Sequence, residues 1–163
     1  MQNISQEHNY IEILKNSLNK KKDILNKILL KNSELRDIAA ADKFDYEAFD
    51  VIYHEKGKLN AELNLMDSGF QSIYDRVKDV LVSEKEKYKE DILELQNLVK
   101  QVTSLSMEIE ASEKRNCDLM EKTTNRMKTE VKTARATNKA AVDYYQNMNK
   151  LNFIEPQFMD KKK

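Results

Sequence analysis

The stretch FDVIYHEKGKLNAELNLMDSGFQSIYDRVKDV, residues 49–80, decides the fold because its apolar residues recur in alternating steps of three and four. Nine of the ten positions reached by these steps are apolar. A 3.5-residue repeat held over about four heptads predicts one long helix with an apolar stripe along one side. Gly69 lies inside the repeat, but the register passes it without a slip, so the prediction is a single helix. The ten positions are Phe49, Ile52, Lys56, Leu59, Leu63, Met66, Phe70, Ile73, Val77 and Val80.

The same spacing continues on both sides of this stretch. The upstream series is Ile11, Leu14, Leu18, Lys21, Leu25, Ile28, Asn32 and Leu35. The downstream series is Tyr88, Ile92, Leu95, Val99, Val102, Ser106 and Ile109. Asp42 or Asp45 is placed to cap the second helix, and Ser83 is placed to cap the third. The short connection after the first helix predicts an antiparallel hairpin.

These patterns predict an all-α fold, in which an antiparallel helical hairpin and a longer third helix form a three-helix coiled-coil bundle. The expected helices span about 5–39, 45–82 and 84–150, within a single domain covering 1–150. An extended or flexible C-terminal tail is expected over 151–163, because Pro156 cannot continue a helix. With only two glycines and one proline, the chain has little of the turn chemistry that an α/β enzyme needs.

Charge and cysteine content exclude several classes of protein. The 28 basic and 28 acidic residues balance, which argues against wholesale nucleic-acid binding. Cys117 is the only cysteine, so no internal disulfide can form. No run of apolar residues has the length of a membrane span, and the first residues do not resemble a signal peptide. The chain is therefore expected to be cytoplasmic, without stable membrane insertion.

Catalytic and metal-binding motifs are incomplete wherever they begin. The segment from His54 to Lys58 opens like the zinc-binding helix of a metalloprotease, but Lys58 stands where the second histidine would be needed. Gly57 and Lys58 lack the upstream glycine of a phosphate loop. We therefore expect no enzyme, no catalytic, metal or cofactor site, and no small-molecule substrate.

The second half of the third helix has a poorer apolar stripe and a local excess of positive charge. Continuing the steps past Ile109 reaches polar residues at four of the next six positions. Between Lys122 and Lys139 there are six basic residues and one acidic residue, Glu130. Two interpretations stay open here: a solvated helix whose positive charge complements an acidic partner, and a phosphate-binding or membrane-surface stripe. The apolar tail around Pro156 also leaves two alternatives, docking on its own bundle or serving as a linear motif for a partner.

Three segments of the chain carry a resemblance to a known family. They are Glu55-Lys56-Gly57, LNLMDSGF over residues 63–70, and the ending formed by Tyr144-Tyr145 with FIEPQFMDKK over residues 153–162. Together they resemble the clostridial branch of the flagellar export chaperone FlgN family. Length, helical pattern and scarcity of glycine agree over essentially the whole chain, and small secretion chaperones such as FliT share this outline.

The resemblance implies a cytosolic chaperone that binds the C-terminal helices of hook-associated flagellar proteins and passes them to the export gate. Such binding is recognition of an exposed apolar helix by another helix's seam. The residues expected to bind partners are Met120, Met127, Ala134, Ala141, Tyr144, Tyr145, Met148, Phe153, Ile154 and Phe158. The alternatives are a structural coiled-coil protein that self-associates, a homodimer included, and a basic-helix binder of nucleic acid or membrane surface.

Overall fold

The computed structural model describes residues 2–152, with side chains for residues 5–148. It contains three helices, α1 (Gln2–Ala40), α2 (Tyr46–Ser83) and α3 (Lys89–Asn152), and no strand within the described residues. The predicted all-α, three-helix fold is therefore confirmed. The chain divides into two compact units within α3, one that ends at Leu119 and one that begins at Met120.

In the first unit, α1 and α2 pack as an antiparallel hairpin, as predicted. The Lys21 ammonium lies 2.6 Å from Asp67 Oδ1, and the Lys31 ammonium lies 2.7 Å from Glu55 Oε2. Residue numbers rise along α1 as they fall along α2, so the two helices run in opposite directions. The ion pair with Glu55 also raises the pKa of Lys31.

The part of α3 that belongs to the first unit runs parallel to α1. Near its start, the Lys15 ammonium lies 2.6 Å from Asp91 Oδ1 and 2.8 Å from Glu94 Oε2. Further along, Asn32 Nδ2 donates a hydrogen bond of 2.9 Å to Ser112 Oγ. Burial by itself would lower the pKa of Lys15, but the hydrogen bonds to the two carboxylates outweigh it and raise that pKa.

The core of the first unit follows the predicted stripes of α1 and α2 closely. All ten positions of the α2 stripe are buried or partly buried, and α2 passes through Gly57 and Gly69 without a break. The largest fully buried apolar side chains are those of Ile11, Leu14, Ile28 and Val77. The 3.5-residue repeat in these two helices therefore marks the faces that meet.

The stripe of α3 differs from the prediction at two of its seven positions, Val99 and Ser106. Leu98 is 7% exposed, whereas the expected Val99 is 46% exposed. Leu105 is partly buried, and the expected Ser106 is exposed. Tyr88, Ile92, Leu95, Val102 and Ile109 hold their predicted places, so the buried face is rotated by one residue only at Leu98 and Leu105.

The helix ends are set by local hydrogen bonds. Asp45 caps α2 by accepting a hydrogen bond of 3.1 Å from the backbone N–H of Ala48. Ser83 does not cap α3, because it is the last residue of α2 and its Oγ donates to the carbonyl of Val80. A turn over residues 84–88 follows, so α3 begins at Lys89 rather than at 84.

At the C-terminal end, α3 includes residues 151 and 152, which the sequence assigned to the tail. The rest of the predicted tail, with Phe153, Ile154 and Phe158, lies outside the described residues. Across the described helices, no run combines the length and the hydropathy that a bilayer span requires.

Candidate functional site

The candidate partner surface lies on the part of α3 that forms the second unit. Its helical conformation follows from composition, since no glycine or proline occurs between Met120 and Asn152 and good helix formers such as alanine, lysine and arginine are frequent. Arg126 and Glu130, one turn apart, approach to 3.7 Å, and Thr129 Oγ1 donates to the carbonyl of Asn125 at 3.0 Å. The backbone is thus supported by contacts within the helix.

The predicted partner-binding residues of this unit differ in their exposure. Met120 and Met127 are partly buried, whereas Ala134 and Ala141 are exposed. Three large side chains are also exposed, at 64% for Tyr144, 57% for Tyr145 and 37% for Met148. Among the described side chains from Lys128 to Met148, only Val142 falls outside the exposed class.

A continuous heptad seam becomes evident when the exposed residues are placed on the helix. Alternating steps of four and three from Met127 reach apolar or small residues at every position but one, Asn138. We call this set the distal seam, and it consists of Met127, Val131, Ala134, Asn138, Ala141, Tyr145 and Met148. Residues spaced in this way lie on one side of an α-helix.

The sequence prediction missed two members of the distal seam. It continued the register of the upstream stripe to Glu130 and so passed over Val131, which is 49% exposed, and over Asn138. A step of four from Met127 to Val131 was the signal that could have found them. Tyr144 lies one position beside the seam, and its ring packs edge-on against that of Tyr145 at 5.9 Å.

Positive charge surrounds the first half of the distal seam. The basic residues are Lys122, Arg126, Lys128, Lys132, Arg135 and Lys139. All of them except Arg126 are exposed. Because apolar seam and cationic flanks occur together, the surface favours an apolar helix that carries acidic residues.

The side chains of His54 and Cys117 both lie on the surface. The ring of exposed His54 makes its polar contacts within its own helix, where Nδ1 lies 2.8 Å from the carbonyl oxygen and 3.3 Å from Oδ1 of Asp50. Cys117 is a free, exposed thiol. In the described part of the chain, no three or more histidine, cysteine, aspartate or glutamate residues are grouped so as to hold a metal ion.

Comparisons of the chain with protein-family models, with curated proteins and with solved structures find no match. The relationship to the FlgN family therefore stays a prediction, and a function has to be argued from the residues themselves.

Proposed function

We propose that this protein is a cytoplasmic flagellar export chaperone of the FlgN type. It would bind the C-terminal helices of hook-associated proteins, prevent their premature assembly and hand them to the flagellar type III export apparatus. The observation that carries the proposal is the distal seam, a heptad repeat over residues 127–148 whose side chains are mostly exposed. A helix that keeps such a repeat without burying it offers a face that a partner helix can cover.

The side chains of the distal seam suit a partner helix of variable shape. Met127 and Met148 stand at its two ends, and methionine adapts to irregular contacts because its side chain is unbranched and flexible. Ala134 and Ala141 lie between them and permit a close approach of two helices. Tyr145 supplies a large ring with a polar tip, the kind of side chain that dominates binding energy in many interfaces.

The charge around the seam favours a partner with acidic residues beside its apolar stripe. Between Lys122 and Lys139 the sequence contains six basic residues and only one acidic residue, Glu130. Complementary charge raises the association rate and discourages wrong partners. A hook-associated cargo helix is accordingly expected to present glutamate or aspartate next to its leucines and isoleucines.

Self-association into a structural coiled coil is the second candidate function. Asn138 occupies the kind of seam position at which a single asparagine specifies a two-stranded coiled coil. In a parallel dimer, Glu130 of one copy would lie near Arg135 of the other, an attractive pair. Both candidates use the same surface, so the test has to separate them.

The decisive experiment compares two substitutions that differ only in the face they change. Ala134→Asp puts a charge in the distal seam, and Ala136→Asp puts the same charge on another face, two residues away. Both alanines are exposed, so the two variants should fold equally well. Co-purification with the C-terminal region of a hook-associated protein should fall by about tenfold or more for Ala134→Asp and stay unchanged for Ala136→Asp.

Equal capture by both variants would remove the distal seam from the proposal. Truncation after Lys139 should also abolish capture while most of the helical circular-dichroism signal is kept. Sedimentation separates the second candidate, because a tight dimer at low concentration that Ala134→Asp dissociates would favour the structural role. Salt-sensitive retention on heparin would instead favour a binder of nucleic acid or anionic membrane.

A further inference from the structure

A groove between α2 and α3 in the first unit is independent of the distal seam. It has a volume of about 790 Å³. Its floor is formed by core side chains from all three helices, Leu14, Leu18, Leu81 and Leu95. Such a groove is large and apolar enough to accept side chains from another polypeptide.

The walls of the groove expose apolar side chains that have no role in the core. Val82 is 66% exposed, Val99 is 46% exposed and Tyr74 is 40% exposed, and all three line the groove. Val99 is exposed because Leu98, and not Val99, is the residue of α3 that packs into the core at this point. The rotation of the α3 stripe therefore creates an apolar wall where the sequence predicted a buried seam.

The charged residues that line the groove are all lysines. Lys78, Lys85 and Lys100 belong to its lining, which contains no carboxylate. Lys78 lies 3.5 Å from Asp75 Oδ1. Within the described part of the chain, neither Lys85 nor Lys100 forms an ion pair. A ligand with acidic groups beside an apolar surface would therefore complement the groove in both respects.

We infer that this groove binds one amphipathic helix of a partner protein, with acidic residues flanking its apolar stripe. The lining extends along α2 from Phe70 to Val82, about 18 Å at 1.5 Å per residue, which matches about three turns of a bound helix. A second copy's segment from Lys122 to Lys139 is a poor occupant, because its positive charge opposes the three lysines. The inference does not depend on the proposed chaperone function.

The test uses the full chain and a designed peptide as the probe. A fluorescein-labelled helix of about 14 residues carries leucines in 3–4 spacing flanked by glutamates, and its partner peptide has lysines in place of the glutamates. Fluorescence anisotropy should show that the glutamate peptide binds about tenfold more tightly than the lysine peptide at low salt. The difference should shrink in high salt because exposed charges are screened.

Substitutions assign the binding to the groove. Val99→Asp should weaken binding of the glutamate peptide by about tenfold or more, since it puts a charge on the apolar wall. Val51→Asp is the matched control, because Val51 is also about half exposed, at 56%, and does not line the groove. The double change Lys85→Glu with Lys100→Glu should reverse the preference between the two peptides.

Equal binding of both peptides, or full binding by Val99→Asp, would overturn the inference. A dimer in sedimentation that Val99→Asp dissociates would assign the groove to a second copy and overturn it as well. Because the distal seam also favours an acidic amphipathic helix, the peptide measurements are all made in the Ala134→Asp background, which removes that second site. Failure of cargo capture with intact peptide binding would therefore refute the chaperone proposal and leave the groove standing, whereas the opposite pattern would refute the groove alone.

Discussion

Replacing Asn32 with leucine should stabilise the protein. The side chain of Asn32 is 1% exposed, and its Oδ1 is buried and accepts no hydrogen bond from the described residues. A buried acceptor without a partner costs about 1–3 kcal/mol. The side chain does donate one neutral hydrogen bond, to Ser112 Oγ, and losing such a bond costs about 1 kcal/mol.

Two neighbouring hydrogen bonds survive the change and keep the local structure intact. Asn116 Nδ2 donates to the backbone carbonyl of residue 32, at 2.8 Å, which leucine also possesses. Ser112 Oγ still donates to the carbonyl of Ile109, at 2.8 Å. Leucine has the same branching as asparagine, with two methyl groups in place of the amide oxygen and nitrogen, and it buries apolar surface in place of an unpartnered oxygen. The free energy of unfolding should therefore rise by about 1–2 kcal/mol.

Urea unfolding followed by far-ultraviolet circular dichroism measures this effect. The midpoint should move to higher urea concentration for Asn32→Leu at an unchanged slope. Asn32→Ala is the comparison, because it removes the same polar group without filling the space and so gains less. A lower midpoint for Asn32→Leu, again at unchanged slope, would mean that Oδ1 is well satisfied in the folded chain and that the reasoning is wrong.

Two further predictions concern α2 and the buried lysine. Gly57→Ala and Gly69→Ala should each raise the free energy of unfolding by about 1 kcal/mol, because a Cβ at either position meets no atom within 4 Å and alanine favours the helix. A lower midpoint of urea unfolding for either variant would contradict this. The raised pKa of Lys15 gives stability that is complete below its ordinary value of 10.5 and is lost as the pH rises further. Lys15→Met should therefore weaken the alkaline decline of stability, measured against Lys27→Met, and an unchanged decline would refute this assignment.

The faces of α1 and α2 could be predicted from sequence because one register stays mostly apolar along each helix. In α3 that register reaches Ser106, while Leu98 beside Val99 and Leu105 beside Ser106 offer a second apolar series. Leu105 beside Ser106 was the discriminating signal, because a leucine is the better core residue of the two. The position of the turn over residues 84–88 depends on backbone hydrogen bonds that no side-chain pattern records.

The two candidate surfaces differ in how far the sequence reveals them. The lack of a continuing core stripe after Ile109 indicated an uncovered helix, and the exposure of Tyr144 and Tyr145 agrees with that. The groove between α2 and α3 could not be predicted, because it is a gap whose width depends on how far apart two helices lie. A heptad repeat predicts which face of a helix is apolar, but it does not identify the helix against which that face packs.

The contacts that Lys15 and Asn32 of α1 make with α3 have a consequence for folding. An apolar stripe that repeats every seven residues would accept α3 displaced along α1 by one heptad, about 10 Å. In one such displacement, Lys15 would face Leu98 in place of Asp91, and Asn32 would face Leu119 in place of Ser112. Lys15 would then keep only its contact with Glu12 of the same helix, at 3.4 Å, and the side chain of Asn32 would be buried without a partner, at a cost of several kcal/mol. These contacts therefore select the native register of α3 against α1, because a displaced α3 loses the contacts of Lys15 and of Asn32 at the same time.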